Sequence, residues 1–312
     1  MSSALQKKLQ DSQDPILDFG ASTVFIGRNG GKFPYGNSVL VQGSEESIVI
    51  DPSKSFKSHI GQLPEIDRIV LSHCHQDHVA GVHLFPDASC HAHENEVYAI
   101  QSMDGIAELH GVPADERAEF ETTVTKHFSF IPRPDTVGYK DGDVFDLGGG
   151  VTIEVIFTPG HTHGHSCLLV RGKHRKDDML FLADIELSGF GPYYGGVNSS
   201  LEQFDQSLDL VRSMDIPWFC TFHHLGVLDK EAFLKRSAQY QGMIGYRENK
   251  LLDYMKVPRT INQAVEHRII YRKTDVGPSN DRSEHWMLTQ HVERMLKSEK
   301  LKELEPGLYQ AI

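Results

Sequence analysis

Cysteine is scarce in this chain. Four residues in 312 (Cys74, Cys90, Cys167 and Cys220) are scattered without a framework spacing, which excludes a disulfide-stapled scaffold and points to reduced thiols in a cytoplasmic protein. Long hydrophobic runs are also missing, since none approaches the roughly 18 residues of a membrane span, so no membrane partner is expected. The opening "MSSALQKKLQDSQD" lacks the apolar stretch of a secretory signal. Positive charge is in deficit, with a net charge of −12. That argues against nucleic acid as a partner, because binding it blind to sequence depends on neutralising phosphates with Lys and Arg. The deficit is not uniform, since from Lys256 onward Lys and Arg slightly outnumber Asp and Glu. There is no internal repeat and no low-complexity tract.

Histidine is what the chain has in excess, with 18 residues. The most concentrated stretch is "SHCHQDHVAG", which follows directly on the apolar run "RIVL". Other segments share this layout. "SVLVQGSEESIVIDPSK" reads as two strands around a polar turn, ending on Asp51, and "DDMLFLAD" reads as a strand ending on Asp184. "WFCTFHH" reads as a strand ending on His223 and His224. "GDVFDLGGGVTIEVIFTPGHTHGHSCLLV" reads as three strands, the last two joined by a histidine-bearing loop. "HVAGVHLF" is expected to open a helix. Residues 94 to 127 are helical in pattern, interrupted by Gly105, Gly111 and Pro113. "SLEQFDQSLDLVRSM" carries a helical apolar stripe at Leu201, Phe204, Leu208 and Val211. Beyond residue 228 the pattern is mostly helical, and "EPGLYQAI" could add one short strand. The order of strands and helices predicts two sheets with helices packed outside them.

Imidazole and carboxylate are ligands suited to zinc, iron or manganese. His73 and His75, two apart at a strand end, can point the same way. Asp77 and His78 can face a neighbouring position, so one loop supplies ligands for two adjacent divalent metal ions. The remaining ligands are sought at other strand ends: His161, Asp184, and either His223 or His224. A carboxylate can bridge two cations, which makes Asp184 the natural shared ligand. His163 and His165 stand beside His161 as weaker candidates. His83, His91, His93, His110, His127, His174, His267, His285 and His291 read as ordinary surface histidines. Cys74 and Cys167 read as apolar filler rather than soft ligands.

"HCHQDH" resembles the HxHxDH signature of the metallo-β-lactamase-fold superfamily, and "TPGHTHGHS" resembles the TPGHTxGH segment of its glyoxalase II-like branch. The resemblance runs in order over roughly residues 18 to 228. It implies an α/β fold, a four-layer αβ/βα sandwich, as a catalytic domain over residues 1–228. It also implies a helical, winged-helix-like extension over residues 229–312. By the same resemblance, His73, His75 and His161 hold the first metal. Asp77, His78 and a last histidine hold the second, with Asp184 shared. "HLGV" resembles the family's H-x-G-V ending, so His224 is the expected last ligand and His223 the fallback. Asp51 is expected to support the metal loop.

Departures from relatives narrow the expectation. Asp184 argues against penicillin-type substrates, His75 against flavodiiron proteins, and the lack of a large insert against the β-CASP nucleases. Where glyoxalase II has "GxGKxYEG", this chain has "GFGPYYGG". Tyr194 keeps the aromatic position as a candidate catalytic residue, but Pro192 replaces the lysine that meets glutathione, which favours less charged substrates. A cation from the tail, Arg247 or Lys250, is the candidate replacement. The expected function is a dinuclear, most simply zinc-dependent, hydrolase acting on a small-molecule ester, thioester or lactone through a metal-bridging hydroxide. Asp77 and Asp184 would orient it. The alternatives are a mononuclear-iron oxygenase, a metal-dependent ribonuclease using the tail, and a low-turnover ligand-binding regulator. A homo-oligomer stays open.

Overall fold

The computed structural model describes residues 15–312, so the opening segment searched for a secretory signal lies outside the described residues. One sheet is built from β1 (Ile16–Asp18), β2 (Ser22–Phe25), β3 (Ser38–Gln42), β4 (Ser47–Ile50), β5 (Arg68–Val70), β6 (Ser89–His93) and β7 (Val137–Tyr139), side by side in chain order. β1 to β4 pair antiparallel, and β5 to β7 join them in parallel. The second sheet is built from β8 (Val144–Asp146), β9 (Thr152–Phe157), β10 (Ser166–Arg171), β11 (Met179–Ala183), β12 (Trp218–Thr221) and β13 (Val227–Asp229), again in spatial sequence. Only β11 and β12 pair in parallel there.

Period-two alternation explains why the sheets stack. Val39, Val41, Ile48, Ile50 and Val70 on one sheet meet Ile153, Val155, Leu168, Val170 and Phe181 on the other in a single buried cluster. The opposite face of the first sheet carries Leu40, Val49, Ile69 and Leu71. These pack under α1 (Val97–Gln101), α2 (Met103–Leu109) and α3 (Arg117–Phe128) through Ile100, Ile106 and Val124. The opposite face of the second sheet carries Leu169, Leu180, Leu182 and Phe219. These are covered by α4 (Leu201–Ser213) and the first half of α5 (Lys230–Tyr254). The ring of Phe233 on α5 stacks on Phe219 at 3.7 Å, a contact worth about 0.5–1.5 kcal/mol beyond the area it buries. The fold is thus the expected four-layer αβ/βα sandwich.

The helical stripe at 201–211 forms as expected, with Leu201, Phe204, Leu208 and Val211 all buried. Its Ser200 side chain caps the helix by accepting from the Gln203 N–H. "HVAGVHLF" does not open a helix. It forms turns and a short 3₁₀ segment at Val82–Leu84, where Gly81 N–H donates to the Pro52 carbonyl at 2.7 Å. The loop is pinned to its neighbour, and the helical ladder is lost to that contact. The helical pattern over 94 to 127 breaks into α1, α2 and α3, with Ser102 capping α2 and His110 and Gly111 closing it.

The C-terminal extension has its own small core. Leu251 and Met255, at the end of α5, pack with Ala264 of α6 (Ile261–His267) and with Leu288, Val292 and Met295 of α7 (Pro278–Lys297). α5 therefore belongs to two cores, with Phe233 and Tyr240 in the sandwich and Leu251 in the extension. "SEKLKEL", read from the sequence as continued helix, leaves α7 at Lys297 and forms β14 (Leu301–Glu305). This strand pairs with β15 (Leu308–Ala311) in a two-stranded hairpin. The reversal is made at Glu299, whose φ is 56°, a left-handed conformation that ends a helix. No helix among the described residues is long and apolar enough to cross a membrane.

Candidate metal centre

The centre lies where the strand ends of both sheets meet along one edge. After β5 the chain makes a tight turn that buries His73, Asp77 and His78 completely or nearly so. Two carboxylates hold this turn. Asp51, at the end of β4, accepts from the Ser72 N–H at 2.7 Å and from His78 Nδ1 at 2.7 Å. Glu96, just before α1, accepts from the Cys74 N–H and the Gly164 N–H, each at 2.8 Å. Glu96 thereby ties the 72–78 turn to the "TPGHTHGHS" loop. That loop needs its glycines. A side chain at Gly160 would stand 2.3 Å from the Phe204 backbone, and one at Gly164 would collide with Glu96.

Asp184 sits at the centre. Its Oδ2 lies 3.1 Å from His161 Nε2 and 3.9 Å from His73 Nε2. Its Oδ1 lies 3.0 Å from His78 Nε2 and 3.9 Å from His223 Nε2. One carboxylate oxygen thus faces each half of the site. His75 Nδ1 is 3.1 Å from His161 Nε2 and completes the first half. Asp77 Oδ2 is 2.9 Å from His223 Nε2 and completes the second. A bulge in the pairing of β11 with β12, with Ala183 at φ 47°, swings Asp184 out of the strand and into this position.

The far side of each ring is held so that the near nitrogen faces the site. His161 Nδ1 donates to the Tyr193 carbonyl at 3.1 Å, and His223 Nδ1 to the Gly31 and Tyr35 carbonyls at 2.8 and 3.0 Å. His78 Nδ1 is held by Asp51. Hydrogen bonds of this kind fix ring and tautomer for a metal. His73 Nε2 is buried and has no hydrogen-bond partner. A buried orphan nitrogen aimed at a carboxylate is costly unless something occupies the gap, and a cation fits that requirement.

Protonation tells the same story. Burial, together with neighbouring imidazoles, holds His73 and His75 well below their ordinary values. They are neutral and have lone pairs to give. Burial would also depress His78 and His161, but Asp184, joined by Asp51 at His78 and by the Tyr193 carbonyl and Glu186 at His161, raises both. His223 is lifted to about 10, because Asp184 and Asp77 overcome its burial. Burial alone would raise Asp184, yet His78, His161 and His223 hold it well below the usual carboxylate range. Protons on these imidazoles supply the positive charge that cations would bring.

Each residue singled out from the sequence has a definite place. His73, His75, His161 and Asp184 form one group able to hold a metal ion, and Asp77, His78 and His223 form another. His224, the expected last ligand, stands outside both groups. Its φ is 65° and its Nε2 lies 3.6 Å from Glu186. The left-handed turn at His224 rotates that ring away and leaves the fallback, His223, facing Asp77. His165 supports the site from behind, accepting from the Asp184 N–H at 3.2 Å. His163 turns outward to the Asn95 carbonyl. All four cysteines are free and buried, in line with an apolar role.

Tyr194 is not at the site. Its hydroxyl donates to His291 Nε2 at 2.7 Å and accepts from Arg247 Nη1 at 2.9 Å, in a buried cluster with Met287. Adjacent side chains of this extended loop face opposite ways, and Tyr193 takes the cavity side. Arg247, a candidate cation, is buried and occupied by the carbonyls of Phe190 and Pro192. Lys250 is bonded to the Ile269 carbonyl. His291, read as a surface residue, is fully buried.

Above the two groups of candidate ligands lies a cavity of about 800 Å³. Its floor carries His75, Asp77, His161, Asp184 and His223. Its walls carry Phe33, Leu109, Tyr193 and Val197, and its outer side Val265, Arg282, His285 and Trp286 from the extension. Arg282 forms a bidentate pair with Glu116 at 2.8 and 2.9 Å, tying α7 to the start of α3. His110, read as a surface histidine, stacks on His75 at 4.9 Å on the cavity wall, and burial pushes it down to about 4. Three contributors escaped the sequence reading: Glu96, His110 and Glu186. Each lies outside any motif, and only His110 carried a compositional signal.

Comparison with known proteins agrees with this geometry. The family model described as "Metallo-beta-lactamase superfamily" matches residues 31–224. A hydroxyacylglutathione hydrolase of Francisella philomiragia is 27% identical over 55% of this chain and 54% of its own length. An acyl-coenzyme A thioesterase of Bos taurus is 30% identical over 49% of this chain and 59% of its own. The chain thus spans little more than half the length of these curated relatives. In fold, a metallo-beta-lactamase family protein of Thermus thermophilus superimposes with a TM-score of 0.69 at 19% identity, covering 94% of this chain and 99% of the other. With its strand-end ligands, its sandwich and a family match across most of the sandwich, this chain belongs to the metallo-β-lactamase superfamily.

Proposed function

We propose that the protein is a dinuclear metal-dependent hydrolase acting on an ester-like bond: an ester, thioester or lactone. The observation that carries this reading is the posture of Asp184, which turns one oxygen to the His73–His75–His161 group and the other to the Asp77–His78–His223 group. Zinc suits the imidazole-rich first group, and iron or manganese remain compatible with the donor set. The names of the two curated relatives, a hydroxyacylglutathione hydrolase and an acyl-coenzyme A thioesterase, support the ester-like class.

Two bound divalent ions would supply Lewis acidity and a water acidic enough to ionise near neutral pH. The chain's own residues do the rest. His161, His78 and His223, their rings fixed from behind, present Nε2 to the site. Asp77 and Asp184 accept hydrogen bonds at the floor and are placed to orient water and carry a proton from it. Phe33, Leu109, Tyr193 and Val197 line the space above and favour a substrate with apolar flanks. Pro192 leaves no cation at the place where glutathione relatives have lysine. Among the described residues lining the cavity Arg282 is the one Lys or Arg, and Glu116 already pairs with it. Small neutral substrates should therefore be turned over faster than S-lactoylglutathione. The deciding experiment is metal analysis of the purified protein followed by an ester, thioester and lactone panel. Two metals per chain and hydrolysis lost on chelation support the reading. A single iron with oxygen consumption would replace it with the oxygenase.

A further inference from the structure

Beside the ligands named so far stands a third carboxylate that the resemblance does not assign. Glu186 lies two residues after Asp184, and its carboxylate, with Asp184 and His223, forms a further group whose donor atoms lie within 4.8 Å of one another. It lines the cavity floor. Its nearest ionic partner, His224 Nε2, is 3.6 Å away, beyond hydrogen-bond range.

The backbone explains how two carboxylates come to face one place. Ala183 and Leu187, at φ 47° and 55°, bracket the segment between them in left-handed conformations. Such conformations are unfavourable for these side chains and persist only where the surroundings impose them. Between the two acids, Ile185 is 1% exposed and packs into the core under α4 and α5. With Ile185 anchored inward, Asp184 and Glu186 both turn toward the site.

We propose that Glu186 is an additional ligand at the second metal position, joining Asp77, His78, His223 and Asp184, and that it makes this position selective for a harder cation than the first. This rests on the dinuclear reading above. The first position then offers three imidazoles and the shared Asp184, a set suited to zinc. The second offers three carboxylates and two imidazoles. Oxygen-rich, negatively charged sets favour manganese or ferrous iron relative to zinc, because hard cations gain most from carboxylate donors. The two positions should therefore differ in metal, even though all their ligands meet along one strand edge.

The test uses the full chain, stripped with a chelator and loaded with one equivalent of Zn²⁺. Mn²⁺ is then titrated and followed by electron paramagnetic resonance, with metal content checked by mass spectrometry. The wild type should take one Mn²⁺ beside the Zn²⁺. Glu186→Gln should weaken that Mn²⁺ by at least about tenfold while Zn²⁺ at the first position is unchanged. Co²⁺ placed at the second position should show altered d–d bands in Glu186→Gln. In the wild type alone, limiting Zn²⁺ added to the di-manganese protein should displace the first-position Mn²⁺ before the second. Equal Mn²⁺ affinity in wild type and variant would overturn the proposal and leave the dinuclear reading standing. So would an unchanged Co²⁺ spectrum, which would place Glu186 on bound water instead. A wild type that holds only one metal would remove both.

Discussion

Two loops frame the cavity and behave as opposites. The 72–78 turn compresses four candidate ligands into six positions, and its supports, Asp51 and Glu96, clamp the backbone itself. The 190–197 loop faces the same cavity but is held from the other side, by Arg247, His291 and Gln290 of the C-terminal helices. In the first loop the chemistry is local, and neighbours in sequence are neighbours in space. In the second, the role of each side chain depends on which helix packs behind it. A motif can therefore be carried from one protein to another in the first loop. In the second it cannot, as the places of Tyr193 and Tyr194 show.

The largest effect should come from breaking the shared point of the first region. Asp184→Asn is expected to lower occupancy of both metal positions and to reduce kcat/KM by at least about a hundredfold, since it removes charge from both groups at once. Metal content and kinetics on the same preparation check this, and a loss confined to one metal would sink the bridging role.

Next in size are the supports. Asp51→Ala strands the Ser72 N–H and His78 Nδ1 in a buried site, which should cost about 3–5 kcal/mol of stability. Glu96→Ala strands two backbone N–H groups and should cost about 1–3 kcal/mol for each. Urea unfolding of the chelated proteins measures both. If either variant is as stable as wild type, the turn is held by something other than these carboxylates.

The pH response should change sign with loading. In the stripped protein His78, His161 and His223 are raised by their carboxylate partners. Their contribution is fully present below the unfolded imidazole value of about 6.5 and is lost as pH rises, up to about 10 for His223. Between about pH 7.5 and 9, where the histidines held low by burial are neutral whether folded or unfolded, stripped protein should therefore melt lower as pH rises. Metal competes with those protons, so the gain in Tm on adding Zn²⁺ should grow over the same range. A metal-induced gain that shrinks with pH would contradict the protonation pattern.

The second region is sharpened by a pair of single-atom changes. Tyr194→Phe leaves His291 Nε2 and Arg247 short of a partner and should cost about 1–3 kcal/mol with little change in kcat. Tyr193→Phe loses the hydroxyl's contacts with Ser283 and Tyr271 and should alter KM more than stability. The reverse pattern would return Tyr194 to the catalytic site. Smallest of all, Arg282→Ala breaks an exposed pair and should change stability by less than about 1 kcal/mol. Its effect should appear only as a lower kcat/KM for anionic substrates relative to neutral ones.

The sandwich, the strand-end location of the site and most of the candidate ligands were written in the chain itself. Alternating apolar runs that end on His or Asp specify a buried strand and an edge side chain together. His73, His75, Asp77, His78, His161 and Asp184 were legible for that reason. Packing in three dimensions chose His223 over His224, because neighbouring residues at a strand end face apart and only the left-handed turn at His224 settles which one points inward. It also brought in Glu96 and His110, which flank helices with no motif of their own, and Tyr193 over Tyr194, chosen by the buried Arg247 and His291 behind the loop. Such choices are made by contacts between residues some 20 to 150 positions apart along the chain, and no local pattern records them.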